Sequence, residues 1–171
     1  MIGRFGFRGW CVFACALVFG TGGPAAAGIQ FEGCTAGFWK NDADKKSAED
    51  WPMFAGNLIV EPDQNLASVG FNGFTVDPDK DPGGNTGDGV ELFEALRAKG
   101  GGEAALMRSA VAAVLNALHP SVDYELGNDT AGADQIIQLV NNALAAGDSA
   151  LILDLKDMLN EANGAGCSLR P

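Results

Sequence analysis

The sequence predicts a mainly α protein: a small helical bundle with an irregular, aromatic-rich N-terminal segment, its termini joined by a disulfide. Three observations carry this. The second half of the 171-residue chain holds four stretches with apolar residues at helical spacing, separated by Gly or Pro. The segment before them mixes Phe31, Phe38, Trp39, Trp51 and Phe54 with charged residues and has no sustained period. Cys34 and Cys167 flank the whole region near its two ends.

The N-terminus reads as an address. Residues 1–10 carry Arg4 and Arg8 and no acid, residues 11–20 are apolar, and Ala25-Ala26-Ala27 precedes Gly28. A basic start, a short apolar run and a small-residue cleavage site are the pattern of a secretory signal peptide spanning residues 1–27. The run is well short of the ~20 residues that span a bilayer, so the mature chain is expected not to cross a membrane. Residues 28–171 then form a single secreted domain, extracellular or periplasmic. Residues 28–87 make its irregular, aromatic and acidic-loop part and residues 88–164 its bundle.

Export changes the charge and the cysteine count. The chain has 11 Lys+Arg and 22 Asp+Glu, net −11. Removing Arg4 and Arg8 leaves 9 bases against 22 acids, net −13. Such a surface cannot neutralise a row of phosphates, which excludes nucleic acid as a partner. It also keeps copies apart unless divalent cations bridge them, so self-association is expected to follow such cations. Cys11 and Cys15 leave with the peptide. An oxidising compartment then permits one Cys34–Cys167 bridge, the alternative being two free thiols. Two Cys and the single His119 do not complete a structural zinc site.

Taken in order, Ala43–Asp50 reads as a short helix ending before Trp51-Pro52. Residues 57–76 read as irregular with at most short strands, and residues 77–89 as a loop. Asp88–Lys99 reads as a helix capped by Thr86 or Asp88 and ended by Gly100-Gly101-Gly102. Gly102–His119 places Met107, Val111, Val114, Leu115 and Leu118 on one stripe and stops at Pro120. Thr130–Ala146 aligns Ile136, Ile137, Val140 and Leu144 behind an Asp129 or Thr130 cap, with Gly147 at its end. Ser149–Asn163, capped by Asp148 and ended by Gly164, puts Leu151, Ile152, Leu155, Met158, Leu159 and Ala162 on one face.

Residues Gly33-Cys34-Thr35-Ala36-Gly37-Phe38-Trp39-Lys40-Asn41, with Trp51-Pro52 after them, resemble the CTxG[YF]WKN segment of a largely uncharacterised family of secreted microbial domains. Val90–Leu96, the Gly100–Gly102 run, Leu106–Leu118 with Pro120, Gln135–Gly147 and Asn160–Leu169 with Gly166-Cys167 resemble its later blocks. The resemblance implies a surface or matrix role, by association only. The family commonly carries His after the Asn, where this chain has Asp42. It also often has an Arg-His pair where this chain has Arg108-Ser109. Chemistry depending on those histidines would be absent here.

Two groups are candidate sites. Asp77, Asp79, Asp81, Asn85 and Asp88 supply oxygen ligands at EF-hand-like alternation, making Ca²⁺ the candidate cofactor. Pro82 stands where an EF-hand needs Gly, so the expectation is another kind of Ca²⁺ loop or a solvated acidic loop. Phe38, Trp39, Lys40 and Trp51 could offer a stacking platform to a sugar or peptide, or could close the lid of the core, which an Ala-rich bundle needs. His119, before Pro120 at a helix C-terminus, reads as a cation facing the helix dipole.

The function expected is a secreted, non-enzymatic structural or interaction protein of the cell surface or extracellular matrix. It would be Ca²⁺-dependent if the acidic loop binds, with an extracellular or cell-surface protein or polysaccharide as partner. The alternatives are a small carbohydrate- or peptide-binding module using the Trp39/Trp51 region, and an extracellular hydrolase with acidic catalytic residues. There is no G-x-S-x-G elbow, and no catalytic residue is assigned.

Overall fold

One helix, Gly102–Leu118, organises everything around it. From Ala104 to Ala117 all its residues except Arg108 are buried. The sequence reading gave it one apolar stripe; the structure surrounds it, and Ala104, Ala110, Ala112, Ala113 and Ala117 form the faces on which neighbours approach closely. A helix buried all round is a central helix.

The computed structural model describes residues 31–44, 51–54, 57–58, 60–75 and 87–169. The expected signal peptide at 1–27, residues 45–50 of the expected helix, and Asp77, Asp79, Asp81 and Asn85 of the acidic loop lie outside the described residues. Six α-helices appear among the described ones: α1 Ala36–Asp44, α2 Leu66–Val69, α3 Leu92–Arg97, α4 Gly102–Leu118, α5 Thr130–Ala146 and α6 Ser149–Asn163. A two-stranded antiparallel ribbon pairs β1 (Met53–Phe54) with β2 (Asn57–Leu58), Met53 opposite Leu58. The protein is mainly α, with near-terminal regions joined by a Cys34–Cys167 disulfide. Among the described residues, no helix is long and apolar enough to cross a membrane.

The last two helices start and stop where side-chain chemistry says they should. The Asp129 carboxylate accepts from the N–H of Gly132, and Asp148 from that of Ala150. Each takes up one of the unpaired N–H groups of a first turn. Gly147 closes α5 in the left-handed region at φ 63°. Both helices pack on α4, and α1 and α3 also lie against it. The loop into α5 folds tightly because Gly127 and Gly132 touch; a Cβ on either would come 2.7 Å from the other's Cα.

The structure departs from the sequence reading in four places. Of the helix expected at Ala43–Asp50, the first two residues are the end of α1, which begins earlier and carries Phe38, Trp39 and Lys40, and the rest lie outside the described residues. It starts at Thr35, whose hydroxyl accepts from the N–H of Phe38 (3.3 Å). One turn, α2, interrupts the stretch read as irregular, capped by Asn65 through the N–H of Ser68 (2.8 Å). Helix α3 begins at Leu92 behind Glu91, not behind Thr86 or Asp88; residues 87–89 form a separate 3-10 turn. The reason is long-range: Leu66 N–H donates to Val90 O, and Leu92 N–H to Gln64 O, so pairing with the α2 entry holds residues 90 and 91 out of the helix. On α6, Leu155, Leu159 and Ala162 are buried, whereas Leu151 and Met158 lie outside with Leu153.

Residues 31–34 thread between two loops. Glu32 donates its N–H to Asp123 O (2.9 Å), and Gly33 pairs with Gly166. Gly33 also runs against the end of α6: a Cβ there would stand 2.1 Å from Ala162 O, so no other residue fits. Cys34 follows at once and meets Cys167 with 4.6 Å between Cα atoms, across 133 residues of sequence.

Candidate functional site

The Cys34-to-Trp51 region, singled out by its aromatics, turns inward. Trp39 is 0% exposed and Trp51 1%. Neither indole has a free face for a sugar ring, so as a stacking platform this pair is corrected to core. The physical reason lies in α4, whose alanines leave room that only large rings fill. Phe38 is half-buried and stands edge-on to Trp39, 5.1 Å between centroids at 82°. Lys40 is half-buried on the same helix.

What the aromatics surround is polar. The Asn116 side chain, on α4, is fully buried and uses every hydrogen-bonding position it has. Its oxygen accepts from the Cys34 N–H (2.9 Å) and from the Trp39 indole N–H (3.1 Å). Its amide donates to Cys34 O (2.9 Å) and to Asn163 Oδ1 (2.8 Å). Asn163, at the end of α6, accepts in addition from the Tyr124 hydroxyl (2.8 Å) and donates to Ser109 O (2.9 Å). Trp51 joins at the edge, its indole N–H donating to Trp39 O (3.3 Å). Two asparagines thus lock five places together: the Cys34 segment, α1, α4, the loop before α5 and the end of α6. The disulfide closes the same ring from outside.

Sequence reasoning missed both asparagines. A signal existed: Asn116 is the one polar residue between Ala110 and Leu118. A polar side chain inside an apolar helix stripe has to find partners or lose several kcal/mol.

Tyr124 is the one tyrosine in the chain, 2% exposed. Burial first, and the Glu125 charge second, hold its phenol well above the ordinary range, while the Asn116 amide pulls weakly the other way. The unfolded phenol loses its proton near pH 10 and the folded one does not. Above that pH the unfolded state therefore binds fewer protons, and stability falls as pH rises. Absorbance near 295 nm should show no phenolate until the protein unfolds, then its abrupt appearance. A smooth titration near pH 10 with native circular dichroism would contradict the buried hydrogen bond to Asn163.

His119 is the C-cap residue of α4. Its Nδ1 accepts from the N–H of Ser121 (3.1 Å), and the ring lies 5.9 Å from that of Trp39. Of the acidic group, Asp88 sits in the 3-10 turn Gly87–Gly89, while its expected companions lie outside the described residues. Among the described residues, no three or more His, Cys, Asp or Glu gather as a metal-holding group. Compared with protein-family models, curated proteins and solved structures, the chain matches none.

Proposed function

We propose that this protein is a secreted, non-enzymatic structural or interaction domain of the cell surface or extracellular matrix, with Ca²⁺ bound by its acidic loop. The observation that carries the reading is the Asn116–Asn163 centre, coupled directly to a disulfide that clasps the two ends of the fold. A bond of that kind persists in oxidising compartments. Polar groups there are spent on one another and on backbone, an arrangement that rigidifies a core and favours durability. The signal-peptide pattern and the acidic surface support the same setting.

The test uses the exported, oxidised chain, taken from its own extracellular or periplasmic fraction. Thermal melts and light scattering are run with millimolar Ca²⁺ and, as control, Mg²⁺. Extracellular Ca²⁺ loops bind with Kd of about 10⁻⁴–10⁻³ M. Ca²⁺ at about one to ten times such a Kd stabilises by about 0.4–1.4 kcal/mol. A rise in Tm of several degrees and larger particles with Ca²⁺, but not Mg²⁺, are expected. Unchanged melting and size would end the calcium part of the reading. Retention of the chain inside the cell, with both thiols reactive, would end the rest.

A further inference from the structure

An open hollow lies on the far side of α4 from the disulfide-bearing segment's asparagine centre, where α2 faces the start of α5. Its volume is about 230 Å³. Val60, Val114, Ala133 and Ile137 make a buried apolar floor, with Val69 and Leu118 half-buried beside them. Gln64, Ser68, Thr130 and Asp134 stand at its mouth, the last three of them exposed.

Both walls are held in place before anything binds. Backbone bonds tie the α2 entry to the α3 entry: Leu66 to Val90 (2.9 Å), Leu92 to Gln64 (2.8 Å) and Phe93 to Pro62 (3.0 Å). The α5 wall is fixed by its Asp129 cap and by the Gly127–Gly132 contact. A preformed apolar hollow with a few polar groups at its rim has the character of a binding site.

Size and charge say what fits. The volume exceeds the ~150 Å³ that holds a benzene, and falls below the ~300 Å³ at which drug-sized ligands begin. That suits one large apolar side chain. Asp134 is the one charged residue of the lining, Glu61, Asp63 and Asp129 are the chain neighbours of lining residues Val60, Gln64 and Thr130, and no Lys or Arg lines the hollow or adjoins a lining residue in sequence. Leu118 ends α4 at the hollow, so the negative end of that helix's dipole faces it as well. An anionic neighbour would be repelled and a cationic one attracted.

We infer that the hollow between α2 and α5 receives a single large apolar side chain from a partner polypeptide in which Lys or Arg residues flank that side chain. This deepens the interaction role proposed above by naming the partner's chemistry. It needs neither Ca²⁺ nor export to be tested, so its failure and the failure of that reading are separable.

The probe is acetyl-Lys-Phe-Lys-amide, titrated into the oxidised full domain at low salt and followed by amide NMR. Two controls carry the same frame: acetyl-Glu-Phe-Glu-amide keeps the ring and reverses the charge, and acetyl-Lys-Gly-Lys-amide keeps the charge and removes the ring. Saturable shifts confined to residues 64–69 and 130–137 are expected, with both controls at least tenfold weaker. Asp134→Lys, a surface change, should weaken the first peptide about fivefold while leaving Tm in place. Ser68→Phe, at the mouth, should block it. Equal binding of the Glu and Lys peptides, unchanged binding by Asp134→Lys, or an absence of shifts at those residues at millimolar peptide would each overturn the inference.

Discussion

Replacing Cys34 and Cys167 together by serine should cost about 5 kcal/mol and lower Tm by roughly 15 °C. The loop closed by the bond spans 133 residues, nearly all of the described fold. Chain-entropy reasoning makes the stabilisation grow with the logarithm of that length, because the crosslink restricts the unfolded chain. Domains of this size have only about 5–15 kcal/mol to lose. The double variant should therefore sit near its unfolding threshold at 37 °C. Thermal melts of the oxidised, reduced and double-serine proteins measure it. The reduced and serine forms should agree, and a shift under about 3 °C in both would show that the ends are held by the hydrogen bonds alone.

Asn116→Ala should be the most damaging single substitution, at 4 kcal/mol or more. Four bonds vanish at once, and three backbone or ring groups lose their partner in a place without exposure: Cys34 N–H, Cys34 O and the Trp39 N–H. Asn163 Oδ1 keeps only the Tyr124 hydroxyl. Each buried group left without a partner costs about 1–3 kcal/mol. Tyr124→Phe, which takes away one hydroxyl and leaves Asn163 its bond to Asn116, should cost about 1–2 kcal/mol by the same reasoning. Urea denaturation of both, with matched m-values, gives the ranking. Since Asn116 grips Cys34 by both backbone groups, its loss and the loss of the disulfide should not add; a double-mutant cycle should return a coupling above 0.5 kcal/mol. Equal costs for Asn116→Ala and Tyr124→Phe would mean that the four bonds contribute nothing as a set.

Helices α4, α5 and α6 were legible because their information is local. Asp129 and Asp148 start two of them, Gly147 and Gly164 end them, and Leu, Ile and Val recur at the right intervals. Of the short helices, α3 was legible in place but not in its start, and α2 was not legible at all, for an equally physical reason. Helices of four to nine residues are not stable alone and exist because they dock. The four-residue α2 and the six-residue α3 owe their boundaries to each other, through Leu66–Val90 and Leu92–Gln64, which no window of sequence contains. The α1 segment was visible as a cluster of aromatics, and its chemistry was ambiguous between platform and lid until the depth of Trp39 and Trp51 was known. The asparagine centre combines residues 116 and 163 with backbone at 34 and 109, a meeting that only the tertiary fold creates.

The two bridged cysteines differ in depth: Cys34 has no exposure, while Cys167 is half-buried. An attacking thiolate from solution can therefore approach only from the Cys167 side. The mixed intermediate forms there, and Cys34 has to depart as an anion into a dry interior that disfavours one. Opening is thereby slowed by the leaving group for any given reductant. The fold thus makes its clasp slow to open by thiol exchange.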